Sequence, residues 1–467
     1  MSTTVTVRMY NQENLGDCFL LKFANGRKRS FLLIDFGSYE GDNTDKEIEI
    51  AQSILATVKD SPLKIVLTHQ HKDHYTGFLK ADKVMEKLNI QELWLSYLDD
   101  PNRSESVSIR EAMKKFWDKN GELTAALKKK FRQVPAVDKM LKAKAGLDLF
   151  AEMQTGGEAI SKLIGWSKKK PRFLFPGDHF DMPDLSDGSV KVYVLGPPAD
   201  EAHLRKMNPG KGEAVESFNA MSQLTDLHAS ARLIEDALYC HTSQNGVSSE
   251  IENFPFNKKF TSGAGKKLIT KPLEDAYKGE PWRQIDHEWL CEMGRVSLYM
   301  DTLTNNSSLV LAFELVEQKK VLLFVGDAQI GNWKSWLEVK FDKTSVTAKD
   351  LLARTVLYKA GHHSSHNATL AESLDMMNTD ELVIMIPVNQ RISTNRNFAM
   401  LRSGMLMGYN RKSQGRVLRS DTVFHKAGTI KNYKFSFAKQ VSDFKPAVRV
   451  VKSKKGKEHL YIEYDVV

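Results

Sequence analysis

The segment His69-Gln70-His71-Lys72-Asp73-His74 constrains this chain more than any other. It follows the apolar run Leu63-Lys64-Ile65-Val66-Leu67, which stops at Thr68. A short apolar run bounded by polar residues reads as a strand. The donors therefore fall in the loop at a strand's carboxyl end, where open α/β sheets place their ligands. Two imidazoles two residues apart on an extended loop can close on one ion, while Asp73 and His74 turn toward a second. Nitrogen and oxygen donors without thiolate suit zinc, manganese or iron.

Two further elements have the same placement. Asp327 terminates the apolar run Val321-Leu322-Leu323-Phe324-Val325 after Gly326, and its two carboxylate oxygens could bridge two metals; a plain turn role is the common use of an Asp there. The run Val356-Leu357-Tyr358 leads into Gly361-His362-His363, and either adjacent imidazole could complete the second ion. Donors at the carboxyl ends of separate strands converge on one edge of a sandwich, and that conjunction carries the inference.

Other segments fill in the architecture. Val5 to Tyr10 alternates, while Cys18 to Phe23 and Phe31 to Ile34 are apolar, so all three read as strands. Thr44 stands three residues before Glu47, the spacing of a capping box, and Ile48, Ala51, Ile54, Leu55 and Val58 share one helical face up to a stop at Pro62. Helical spacing runs through residues 104–166, with Ile109, Met113, Phe116, Leu123, Leu127 and Phe131 among its apolar positions. Strands are expected again at 173–175, 190–195, 309–315, 321–325, 356–358 and 382–386, with short alternating runs such as 460–464 near the end. A helix is expected near 220–240 and a loop at 256–268. Sheet-forming parts interrupted by helical ones argue for one αβ core with two insertions.

Composition excludes several classes. With 41% hydrophobic and 27% charged residues the chain is an ordinary globular one, neither fibrous nor wholly disordered. No apolar run approaches the ~18 residues that cross a bilayer, and the N-terminus lacks a basic region followed by an apolar stretch, so no membrane partner and a cytosolic protein are expected. Three widely spaced cysteines, Cys18, Cys240 and Cys291, give neither a disulfide framework nor a thiolate site and read as packing residues. The formal charge of +9 is clustered at Lys128, Lys129, Lys130 and Arg132, at Lys168 to Lys170, at Lys266 and Lys267, and at Lys452, Lys454, Lys455 and Lys457. Such runs suit a polyanion, although any one of them can be a solvated helix end.

Taken in order, Asp35, Thr68 to His74, Gly326-Asp327 and Gly361-His362-His363 resemble the metallo-β-lactamase fold. More narrowly, the chain resembles the hydrolase domain of ComEC-like competence proteins. That likeness rests on Gly16-Asp17-Cys18, Leu33-Ile34-Asp35, Pro176-Gly177-Asp178, Val194 to Pro198, Asn306 to Leu311, Phe324 to Asp327 and Gly415 to Asp421, and spans residues 1–100, 172–200 and 304–425. The resemblance implies an α/β protein, an αββα sandwich over 1–467. It carries a helical insertion at 103–170, a mixed helical and loop insertion at 200–303 and a C-terminal extension at 426–467. Two departures stand out. The family usually reads His-His-Gly-Ser where this chain has His362-His363-Ser364-Ser365, and no partner for the first metal is evident among His179, His203 and His228.

Carried over residue by residue, the resemblance implies that His69 and His71 hold one metal. Asp73, His74 and one of His362 or His363 would hold the other, with Asp327 bridging. Two divalent ions, zinc or else manganese, would lower the pKa of a bound water from about 16 toward 7 and make hydroxide available. Asp35 would orient the ligand loop through hydrogen bonds. Asp73 and His366 are the candidate catalytic residues, and Ser364 or Ser365 could also bind a phosphate. The implied activity is that of a phosphodiesterase or nuclease on DNA or RNA, with the insertions free to dock a protein partner. A small-molecule phosphoester or lactone hydrolase and a catalytically silent assembly module are the alternatives.

Overall fold

Apolar and alternating runs become strands because the pleat turns successive side chains to opposite faces. In a computed structural model of the chain, which describes residues 2–39, 43–104, 106–107, 111, 145–186, 188–204, 206, 302–365, 367–395, 400–424, 437–454 and 458–466, they assemble into two sheets. The first contains β1 (Thr4–Tyr10), β2 (Cys18–Asn25), β3 (Lys28–Phe36), β4 (Leu63–Val66), β5 (Ile90–Ser96), β6 (Arg172–Leu174), β15 (Val448–Lys452) and β16 (His459–Val466), in the order β15-β16-β1-β2-β3-β4-β5-β6. Strands β3 to β6 run parallel, and the remaining pairs are antiparallel.

The second sheet contains β7 (His179–Asp181), β8 (Val190–Gly196), β9 (Val310–Leu315), β10 (Lys320–Phe324), β11 (Thr355–Lys359), β12 (Val383–Ile386), β13 (Val417–Arg419) and β14 (Val423–Phe424), ordered β14-β13-β12-β11-β10-β9-β8-β7. Here β10 to β13 run parallel. Each sheet thus joins antiparallel meander strands to a parallel run. The central parallel strands β4, β11 and β12 are buried along their whole length, as expected for strands covered on both faces.

The layers follow from which residues pack together. Val7, Phe19, Leu21, Phe23, Leu32 and Ile34 of the first sheet share a core with Val192, Leu311, Phe313, Leu322, Phe324 and Leu357 of the second. Across this layer Phe19 meets Phe324 with ring centroids 5.6 Å apart, and Phe23 meets Phe313 at 5.5 Å. The opposite face of the first sheet buries Leu33 and Ile65 against α1 (Thr44–Val58), α2 (Lys72–Lys80) and the buried Ala159 and Leu163 of the helix Ala145–Trp166. On the far face of the second sheet Leu323, Tyr358 and Ile384 lie under Trp333, Trp336, Leu352 and Met405. The two sheets and the helices that cover them therefore form a mixed α/β sandwich.

One expectation changes at this level. No capping box forms at the start of α1: Asn43 occupies the cap position without a side-chain bond. Glu47 instead accepts from Ser38 Oγ at 2.6 Å and pairs with Lys80 at 3.1 Å, because it is buried between α1 and α2 rather than at a solvated helix end. The C-terminal extension at 426–467 contributes to the sheet through its described part. Its strand β16 pairs with β1 from Val5↔Val466 to Tyr10↔Tyr461 and completes the first sheet.

Contacts divide the chain into two compact units, Met1–Ile109 with Glu152–Asn219 and Thr302–Val467 in one, and Arg110–Ala151 with Ala220–Asp301 in the other. Most of the second unit lies outside the described residues. So do the helix expected near 220–240, the loop at 256–268, Cys240, Cys291, His228, His366, Lys128 to Arg132, Lys266 and Lys267, and Lys455 and Lys457. Cys18 is buried and unbridged. Among the described residues no helix is long and apolar enough to cross a membrane.

Candidate metal centre

The side chains at issue sit where the parallel strands of both sheets end. Strands β3 and β4 are parallel neighbours, so Asp35 lies beside Thr68. Asp35 Oδ1 accepts the Thr68 backbone N–H at 2.8 Å, and Oδ2 accepts the Thr68 hydroxyl at 2.7 Å. This carboxylate also faces His74 Nδ1 at 2.8 Å. Asp35 therefore ties the end of β3 to the His-rich loop from inside, at a left-handed φ of 54° that its hydrogen bonds must hold against strain.

Helix α2 opens at Lys72, which places Asp73 and His74 in its first turn. Close approach is needed for this turn to pack on β3. A Cβ at Gly37 would lie 2.5 Å from the His74 backbone nitrogen, so only glycine fits there. The other sheet contributes Asp327, just beyond β10, and His363, just beyond β11. The Asp327 N–H donates to Ser308 Oγ at 3.0 Å, and Asp327 Oδ1 accepts from the His362 N–H at 3.1 Å. His362, His363 and Ser364 all take left-handed φ values, 39°, 47° and 68°. Ser364 thus adopts the conformation that a glycine at this position would supply without strain.

Imidazole orientation fixes what the centre can do. His363 Nδ1 lies 2.6 Å from the Pro387 carbonyl oxygen, which can only accept, so Nδ1 carries the proton. Its other nitrogen, Nε2, is 2.7 Å from Asp73 Oδ2 and 3.7 Å from Asp327 Oδ2. By the same logic Asp35 draws the Nδ1 proton of His74, whose Nε2 faces Asp327 Oδ2 at 3.2 Å and Asp73 Oδ2 at 3.8 Å. Two nitrogen lone pairs would then point at carboxylate oxygens, acceptor against acceptor, unless protons or a cation lie between them. His74 Nε2 is buried and makes no hydrogen bond of acceptable geometry. A single divalent cation resolves every one of these contacts, and the donor set suits it.

Asp17, His74, Asp327 and His363 are all buried, each with a donor atom within 4.8 Å of the others, and this cluster can hold a metal ion. Within it Asp17 lies on the far side of the rings. Its oxygens are 3.9 Å from His74 Nδ1 and 3.7 Å from His363 Nδ1, nitrogens already committed elsewhere, and its Oδ2 contacts Lys359 Nζ. Asp73 Oδ2 is the oxygen on the Nε2 side. Asp73 Oδ2 thus meets the Nε2 atoms that also face Asp327, while Asp17 meets the Nδ1 side of the same rings.

His69 and His71 form a second pair, His69 Nε2 lying 3.0 Å from His71 Nδ1. The His69 ring is 4.1 Å from that of His74, and Ser308 Oγ and Thr68 Oγ1 approach its Nδ1 at 3.3 and 3.1 Å. His362 turns away from the cluster: its ring bonds Ser365 Oγ at 2.8 Å and Gln329 Nε2 at 3.1 Å. Of the adjacent histidines, then, His363 points inward. His179 stacks on Tyr193 and His203 pairs with Asp200 at 2.7 Å, so neither joins the donors.

Charge is strongly coupled here. Burial penalises a charged imidazole, yet Asp327, Asp35 and Asp17 outweigh it at His74 and raise its pKa well above the ordinary value. At His363 the contest of burial against Asp327 and Asp73 ends at about 9. Burial pushes Asp17 up to about 6 despite Lys359 and His74. Asp327 goes the other way: burial is overcome by His74, His363 and Lys359, which hold it well below the carboxylate range. His69 is driven well below the usual imidazole value by burial and by the charges of His74 and His71.

Three residues here were not anticipated as parts of the site: Asp17, Ser308 and Lys359. Lys359 carried a signal in retrospect, a lysine in the apolar strand that feeds Gly361-His362-His363. Asp17 and Ser308 stood inside the motifs Gly16-Asp17-Cys18 and Asn306 to Leu311 without looking like donors, since their partners lie far away in sequence. The chain matches no protein-family model and no curated protein.

Proposed function

We propose that the chain is a metal-dependent hydrolase of the metallo-β-lactamase fold, allied to the ComEC-like subgroup, and that it acts in the cytosol as a phosphodiesterase on DNA or RNA. The observation that carries this reading is the meeting of Asp73 and His74 from one sheet with Asp327 and His363 from the other, with two imidazole nitrogens facing carboxylate oxygens. Zinc fits the mixed nitrogen and oxygen donors, and manganese is the alternative. A divalent ion bound there supplies Lewis-acid charge and brings the pKa of a water toward neutrality.

The chain's own residues do the rest. Asp35 and the Pro387 carbonyl fix the tautomers of His74 and His363, so both Nε2 atoms are presented to the ion. Lys359, whose pKa rises because Asp17 and Asp327 outweigh its burial, keeps a permanent positive charge beside the carboxylates. The exposed Lys168, Lys169 and Lys170 are among the basic runs that suit a polyanionic substrate, and the segments 103–170 and 200–303 are the places for a protein partner.

The test is cleavage of single- and double-stranded DNA and of RNA with Zn²⁺ or Mn²⁺, with and without chelator. Asp327→Asn should abolish chelator-sensitive cleavage and leave the fold intact, and cleavage should weaken steeply as salt rises. A protein that binds metal yet cleaves no nucleic acid under any of these conditions, or one that turns over a small ester without salt dependence, would reject the nuclease assignment.

A further inference from the structure

The candidate donors reach the centre from two sheets: His74 stands in the first turn of α2, after β4, while Asp327 and His363 follow β10 and β11. Something other than the ion must set how far apart these halves stand. One brace is backbone, the Leu309 N–H donating to the Thr68 carbonyl at 2.9 Å at the root of the His-rich loop. Asp17 and Lys359 make another. Alternation along β11 puts Lys359 on the same face as Leu357, toward the first sheet, and pairing with Phe324 and Met385 fixes where its side chain starts. Its ammonium donates to the Gly326 carbonyl at 2.6 Å, lies 3.3 Å from Asp327 Oδ1 and contacts Asp17 Oδ2. Asp17 stands just before β2 in the first sheet, and its N–H donates to the Asp73 carbonyl at 2.9 Å. Gly16 lets the loop come this close, since a Cβ there would lie 2.9 Å from that same carbonyl oxygen. A continuous path therefore runs from the first turn of α2, through Asp17 and Lys359, to Asp327.

We propose that Asp17 and Lys359 are positioning residues, a buried ion pair that holds the His74 side of the centre and the Asp327 and His363 side at an ion-binding separation before any ion arrives. Stability is a poor reason for such a pair. Both side chains are 2% exposed, and a buried ion pair can often be exchanged for apolar side chains of similar volume without loss. What the pair adds is geometry. An ammonium has three N–H donors, and here the Gly326 carbonyl, Asp327 and Asp17 supply three acceptors, so Lys359 cannot shift without losing one of them. Partners of this kind commonly orient the carboxylates that hold a metal. This inference rests on the metal-centre reading above but not on the substrate assigned to it.

The experiment measures Zn²⁺ affinity and the visible spectrum of the Co²⁺-loaded full chain, for the unaltered protein and for Asp17→Asn/Lys359→Met. That double variant removes one charge of each sign, so the net charge around the ion is kept and only the brace is lost. Zn²⁺ affinity should fall by about 10- to 100-fold, as when other partners of metal ligands are removed. The Co²⁺ bands should shift, while circular dichroism and urea unfolding stay close to those of the unaltered protein. Asp17→Asn/Lys359→Gln keeps hydrogen-bonding groups at both positions and should fall between the two. A folded double variant with unchanged Zn²⁺ affinity and Co²⁺ spectrum would overturn the proposal. So would failure of both double variants to fold, which would make the pair a requirement of the fold alone. An unaltered protein that binds neither ion would instead reject the metal centre itself, and the purpose of the brace with it.

Discussion

At the scale of single residues, the centre is a set of proton acceptors that someone else's positive charge must reconcile. In the metal-free protein that charge is partly a proton on His363, whose pKa of about 9 stands against 6.5 for a free imidazole. The raised value means that protonated His363 stabilises the fold fully below pH 6.5 and loses that contribution as the pH climbs through 9. Asp17, raised to about 6 from 3.8, acts in the same direction at lower pH, stabilising while protonated and ceasing to as pH passes 6. Metal-free protein should therefore lose stability between roughly pH 6.5 and 9, by up to about 3 kcal/mol, while metal-loaded protein changes little over that range. Metal must expel the His363 proton to bind, so affinity should rise with pH across the same window. Calorimetry of Zn²⁺ binding in buffers of different ionisation enthalpy would measure the released proton, and pH-independent affinity would show that His363 is neutral before the ion arrives.

At the scale of elements, the loop after β11 is held from behind by a line of buried hydroxyls. Tyr358 accepts the Gly361 N–H at 3.2 Å and bonds Thr369 Oγ1 at 2.8 Å, which in turn bonds Tyr409 at 2.7 Å. Three consecutive left-handed residues begin one position further on, and this chain of bonds opposes their relaxation. Tyr358→Phe should cost about 1 kcal/mol of stability, measured by urea unfolding, and weaken metal binding several-fold; unchanged metal affinity would mean that the loop needs no such support. Strand ends of this kind were legible in the sequence, because an apolar run that stops at Asp or His announces both the strand and the donor. The α1 capping box misled for the opposite reason. Thr44 and Glu47 have the local spacing, but Glu47 is claimed by Ser38, Thr76 and Lys80, partners that no local pattern reveals. Strand β7 was missed because His179–Asp181 is three residues long and mostly polar.

At the scale of the molecule, what the sequence hides is which strands become neighbours. β1 lies between β2, its hairpin partner, and β16, more than 450 residues away in sequence, and nothing in the alternation of Leu460 to Tyr464 names that partner. The join is substantial. Ile462 and Val466 enter the layer between the sheets, and Arg8 pairs with Glu463 at 2.7 Å while its guanidinium lies 3.9 Å from the Tyr461 ring centroid. Six register pairs close the edge of β1 that would otherwise expose unpaired backbone groups. Removing residues 437–467 would strip these contacts and leave Val5, Val7 and Met9 beside a bare edge. The loss should approach the whole stability of an ordinary domain, about 5–15 kcal/mol, so the truncated chain should accumulate as aggregate and be degraded readily by protease. A shortened chain that stays soluble with the melting temperature of the full one would show that β1 and β2 can end the sheet alone. Metal retention by such a shortened chain would test the centre separately, since the candidate donors at the ends of β4, β10 and β11 belong to other strands than those removed.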